Sequence, residues 1–256
     1  MRVVSLVPSL TATLFDLGLT TNEIVGRTPW CIHPAPEVNE VKVVGGTKTP
    51  HLGKIESLEP TLLVLDRDEN PRDVYEWALS KNIEVFVCEV NHPRDVPGML
   101  IELGNHIDRT SEAENIAANI NSALDKCSTP SRQTIVLPLI WHEPLMAVSP
   151  EKYAGGLIES IGFSVPLIER GGTGYPVITP QDIIEHQVEG LLLSSEPHEF
   201  AYSEGEAICD EVELLSGSRP WCQCVDGEDL TWMGSRTLTA IANLYSALSH
   251  RFEGHQ

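Results

Sequence analysis

The sequence predicts an α/β fold in two similar lobes bridged by a single long helix. Three observations point to it. Short apolar runs alternate with amphipathic segments along the whole chain, the order expected of mainly parallel sheets covered by helices. The segment Gly45-Gly46-Thr47-Lys48-Thr49-Pro50 is echoed 126 residues later by Gly171-Gly172-Thr173-Gly174-Tyr175-Pro176, close to half of the 256-residue length. Midway, Ser111 to Cys127 runs without Pro or Gly, a stiff connector about 25 Å long at 1.5 Å per residue. The expected division is 1–110, a connecting helix over 111–128, and 129–256, and two lobes facing each other leave a cleft for a ligand.

Each element has its own justification. In the first half, apolar runs predict strands at 2–7, 24–26, 42–44, 61–65 and 83–88. Ser9 to Leu17 carries Leu10, Leu14 and Leu17 behind a Ser9 cap, and Asp73 to Lys81 carries Val74, Trp77 and Ala78. Val96 to Ile107 follows as a third helix. In the connector, Ser111 and Glu114 form a capping box, while Ala113, Ile116, Ala117, Ile120 and Leu124 make one apolar stripe. Beyond it the alternation resumes, with strands at 134–140, 190–194 and near 222–225. Helices are expected over 152–161, 180–187, 208–215 and 235–250. The two copies run in step: Leu52 to Leu58 leads into Leu62-Leu63-Val64-Leu65, and Ile178 to Val188 into Leu191-Leu192-Leu193.

Composition narrows the function. Thirty-seven acids against 17 bases give a net charge of −20, which disfavours nucleic acid and anionic membranes as partners. No run approaches the roughly 20 apolar residues of a membrane helix. Met1-Arg2 leads straight into a core strand with no export signal, so the expected location is the cytoplasm, or the periplasm if a leader was removed. The six cysteines are scattered and read as reduced thiols.

Ligands of parallel α/β sheets meet the loops after the strands. Those loops carry Trp30, Cys31 and His33, then Thr47, then Trp141 and His142, then Tyr175, then Glu196 and His198, and finally Trp232 and Arg236 ahead of the last helix. Indole faces suit a large, flat, partly apolar ligand, and imidazole or thiolate suits a metal. On an extended loop Cys31 and His33 point the same way and form a candidate pair for a directly bound metal ion. Four residues apart, Trp232 and Arg236 share a face if helical, and Arg236 there holds a polar group of the ligand or a structural salt bridge. The sequence shows no nucleophile elbow, Walker loop, H-E-x-x-H or dinucleotide fingerprint, which favours a binding protein over an enzyme. The enzymatic alternative is a metal-dependent hydrolase or transferase using Cys31, His33, His142 and Glu143.

Arg2-Val3-Val4-Ser5-Leu6-Val7-Pro8-Ser9, the Val44-Gly45-Gly46-Thr47 turn, Leu58-Glu59-Pro60-Thr61-Leu62-Leu63-Val64 and the midpoint helix together resemble the class III, helical-backbone solute-binding proteins. The likeness covers essentially the whole chain and is closest to the cobalamin-binding members. It implies a metal chelate held between lobes with little hinge motion: cobalamin or another corrinoid, with haem or a ferric siderophore behind. Under the resemblance, Pro8, Trp30, Thr47, Tyr175, Trp232 and Arg236 line the ligand site. Exported members dock on an ABC permease through one glutamate per lobe, where this chain has Gly53 and Gln181, with Asp182 adjacent. The loss of both acids implies the receptor fold without permease docking, although an exported receptor lacking its leader is the remaining alternative.

Overall fold

The computed structural model describes residues 1–127, 130, 132–170 and 174–251. The second Gly-Gly-Thr turn, at 171–173, lies outside the described residues. So does residue 128 of the expected connector.

The chain divides into two compact units. Unit 1 comprises Met1–Val90, Val96–Ile120 and Met233–Arg236; unit 2 comprises Asn91–Asp95, Asn121–Trp232 and Thr237–Gln256.

Unit 1 opens with β1 (Val3–Ser5), α1 (Pro8–Asp16), β2 (Ile24–Arg27), β3 (Lys42–Val43) and α2 (Leu52–Ser57). It continues through β4 (Leu62–Asp66), α3 (Arg72–Ser80), β5 (Glu84–Cys88) and α4 (Val96–His106) into α5 (Thr110–Lys126). Its five strands form one parallel sheet in the order β3-β2-β1-β4-β5. The alternation of faces brings Val4, Leu63 and Leu65, with Leu6 just after β1, against Ile55 of α2, Leu58 at its C-cap, and Val74 and Ala78 of α3 in one core. The helix expected behind a Ser9 cap instead begins at Pro8, whose fixed φ suits the first helical position. Ser9 is buried, its hydroxyl turned to the sulfur of Met233 at 3.5 Å.

One of the points where the chain passes between the units falls within α5, between Ile120 and Asn121. Unit 2 follows with β6 (Val136–Trp141), β7 (Met146–Ala147), α6 (Tyr153–Ser160), α7 (Pro180–Glu185) and β8 (Gly190–Ser194). It ends with α8 (Tyr202–Ser216), β9 (Trp221–Val225), α9 (Gly227–Thr231) and α10 (Thr237–Leu248). Its sheet runs β7-β6-β8-β9, parallel except for the short edge strand β7. Leu137, Leu139, Leu191 and Leu193 build the core against Ile183, Ile208 and Val212.

The α2–β4 and α7–β8 units repeat in step. Each pairs a six-residue helix with a five-residue strand, and Ile55, Leu63 and Leu65 of the first answer Ile183, Leu191 and Leu193 of the second as buried core residues. No helix among the described residues is long and apolar enough to cross a membrane.

Candidate functional site

In unit 1 the strand ends are tied together by buried polar groups. Arg27, at the end of β2, is buried, and its guanidinium donates to the carbonyls of Val38 (2.8 Å), Thr28 (3.1 Å) and Cys31 (3.1 Å). These bonds pin the loop after β2 against the sheet and leave Trp30 at its tip, 65% exposed. Buried Asn70 accepts from the Asp66 N–H (2.8 Å) and donates to the Thr47 carbonyl (3.0 Å), stapling the turn after β3 to the end of β4. Asp66 accepts from the N–H groups of Asp68 and Glu69 at 2.9 and 3.0 Å. Burial nevertheless pushes its carboxyl up to about 6.

Unit 2 brings two of its imidazoles together, those of His142 and His198. Trp141 closes β6 with its indole 42% exposed and its Nε1 donating to the Glu143 carbonyl at 2.9 Å. His142 follows directly, and His198 comes from the loop after β8, the parallel neighbour of β6. The two rings stack at 5.6 Å and 17°. Phe200 stands edge-on to both, at 5.9 Å from His142 and 4.6 Å from His198. Both rings turn a nitrogen toward Glu204 in the first turn of α8: His142 Nδ1 lies 3.3 Å and His198 Nε2 3.2 Å from Glu204 Oε1. Glu204 Oε2 takes the Ala201 N–H at 2.7 Å, and that bond, with the two imidazoles, holds its carboxyl below the usual carboxylate range.

The other candidates fall as follows. Pro8, His33, Thr47, Tyr175 and Arg236 are half-buried. The Lys152 ammonium lies 5.4 Å from the centre of the Tyr175 ring. Glu196 accepts from Trp232 Nε1 at 2.5 Å and Thr231 Oγ1 at 3.1 Å, and burial raises its carboxyl.

Three expectations need correction. Cys31 is sealed from solvent, its thiol within 3.1 and 3.2 Å of the Thr11 and Thr28 hydroxyls, so it does not join His33 as an exposed metal-binding pair. Trp232 and Arg236 do not share a helix face: α9 ends at Thr231 with Trp232 as its extended C-cap, and α10 starts only at Thr237. The break is Gly234 at φ +112, where a Cβ would meet Thr13 Oγ1 at 2.2 Å. Trp232 is itself only 7% exposed, its indole hydrogen-bonded inside unit 2 instead of offered as a platform. Burial likewise withdraws Cys31 from the enzymatic alternative. The ion-pair partner of His142 is Glu204, while Glu143 is exposed.

Glu204 escaped the sequence reading because Ala201, at the cap position, lacks the hydroxyl or carboxamide that marks a helix start. Arg27 escaped it because a basic residue at a strand end reads as surface.

A profile of the family described as Periplasmic binding protein matches residues 3–204. Among solved structures, the periplasmic haem-binding protein HutB of Vibrio cholerae superposes with a TM-score of 0.79 at 18% identity, covering 97% of this chain and 98% of its own. The periplasmic vitamin B12 binding protein BtuF of Vibrio cholerae gives 0.78 at 15% identity, with 98% of each chain covered. IsdE of S. aureus complexed with haem gives 0.73 at 16% identity, covering 96% of this chain and 98% of that one. Comparison with curated protein sequences finds no match.

Proposed function

The chain belongs to the periplasmic binding protein family, and on that premise we propose that it binds a metal chelate without converting it, a corrinoid such as cobalamin ahead of haem or a ferric siderophore. The observation that carries the proposal is the pair of exposed indoles, Trp30 and Trp141, at strand ends where the fold presents ligand-facing loops. Water-exposed indole is a flat apolar surface with a polar edge, matched to a macrocycle face. Covering one such side chain is worth about 1.5–3 kcal/mol. His33 supplies an imidazole for an axial position on the metal, and Tyr175 and Arg236 contact the rim of the ligand. The solved relatives named for vitamin B12 and haem support this class of ligand.

Permease docking through the family's two acidic positions is not part of the proposal. Gly53 and Gln181 carry no carboxylate, and Asp182 is buried, bonded to Thr179 and Arg170. The family is described as periplasmic, and fractionation of cells producing the natural protein tests that location for this chain.

The test is titration with cobalamin, cobinamide and haem, followed by visible absorption and tryptophan quenching. Binding of one of them with a Kd below about 100 μM, worth about 5 kcal/mol, supports the proposal. Weaker binding of all three ends it.

A further inference from the structure

We propose that His142, His198 and Glu204 form a site for a single divalent transition-metal ion, Zn²⁺ or a first-row neighbour, bound directly by the protein within unit 2. The site is distinct from chelate binding and stands whether or not the chain takes a corrinoid.

Geometry is the first support. The three donor atoms lie within 4.8 Å of one another. With metal–ligand bonds of about 2.0–2.1 Å, two ligands of a tetrahedral ion stand about 3.3 Å apart and opposite ligands of a six-coordinate ion about 4.1 Å apart. The two imidazole-to-carboxylate edges already measure 3.3 and 3.2 Å. The donors therefore need only small movements to close on an ion.

Pre-organisation is the second. The Ala201 N–H at 2.7 Å occupies Glu204 Oε2 and leaves Oε1 to face the two rings, an outer contact of the kind that orients a metal-binding carboxylate. The rings are set by their own packing. Phe200 abuts both, and Trp141 meets His198 edge-on at 6.1 Å. The first turn of α8 fixes Glu204, and the adjacent parallel strands β6 and β8 bring the two histidine-bearing loops together.

Donor chemistry selects the ion. Two imidazoles and one carboxylate are a borderline nitrogen–oxygen set, which suits Zn²⁺, Co²⁺ or Ni²⁺ and not Mg²⁺ or Ca²⁺, which prefer all-oxygen ligation. All three residues are half-buried, so an ion has a path in and at least one coordination position remains for water.

The experiment uses tag-free full-length protein carrying Cys224→Ser to remove an exposed thiol, stripped with chelator and dialysed against Zn²⁺ or Co²⁺. The expected result is one ion per chain, with Co²⁺ developing visible d–d absorption and no sulfur charge-transfer band. His198→Ala and Glu204→Gln should each weaken Zn²⁺ binding at least tenfold while keeping the wild-type circular dichroism. Two results overturn the proposal: substoichiometric metal on the parent protein, which needs no variant to interpret, or unchanged affinity in both folded variants.

Discussion

Asp66 closes β4 as a buried carboxylate, and its replacement by Asn gives the sharpest energetic test of unit 1. The carboxyl is raised from 3.8 to about 6 by burial, against the opposing bonds from the Asp68 and Glu69 N–H groups. The folded state thus holds this proton more tightly than the unfolded chain does. Below the unfolded value both states are protonated and Asp66 leaves stability unchanged. As pH rises through the window from 3.8 to about 6, the folded state must give up a proton it favours, and stability is lost. Above that window the penalty is complete: about two units at 1.36 kcal/mol each, or about 3 kcal/mol. Asp66→Asn keeps an oxygen for the two N–H groups and removes the charge. Urea unfolding of both proteins, stepped from about pH 4 to about pH 8, should show the variant gaining up to about 3 kcal/mol at the alkaline end and little at the acid end. The repulsion of a −20 chain is shared by both proteins almost entirely and largely cancels in the difference. A difference that stays flat across this range, or destabilisation of the variant at pH 8, refutes the assignment of Asp66 as a charge buried at a cost.

Two further predictions probe packing and capping in unit 2. Gly190 lies against Trp221, where a Cβ would approach ring atoms to 2.2–2.4 Å, so Gly190→Ala should cost about 1–3 kcal/mol in urea unfolding; unchanged stability would contradict the β8–β9 packing. Asp182 accepts from the Thr179 N–H and hydroxyl at 2.7 Å each and pairs with Arg170, so Asp182→Ala should destabilise by about 1–3 kcal/mol, read as a fall in Tm. A neutral effect there would mean that the side chain is an available surface acid after all.

Much of this fold is legible in the sequence because a parallel strand covered on both faces is a continuous apolar run. Leu62 to Leu65 and Leu191 to Leu193 could hardly be anything else, and the connector's apolar stripe corresponds to α5 within one residue at each end. Short or polar elements were not legible. β7 has two residues, too few for a period, and α9 has five, held by an Asp226 cap on the Asp229 N–H. α8 begins at Tyr202, six residues ahead of expectation, because its first turns are polar and contain Gly205. The site divides along the same line. Trp30 and Trp141 stand out because a tryptophan after a strand is visible in one dimension. The burial of Cys31 depends on hydroxyls of Thr11 and Thr28, the first of them twenty residues away. The pairing of His142 and His198 with Glu204 depends on two neighbouring strands, which no local spacing encodes.

The most direct test of the ligand assignment is a visible-absorption titration of cobinamide, cobalamin and haem into the wild-type protein and the Trp30→Ala, Trp141→Ala double variant. The account predicts saturable, one-to-one binding of at least one of them by the wild type, weakened roughly 100-fold or more when both indoles are removed. Equal affinity in the two proteins, or no saturable binding by the wild type, contradicts it.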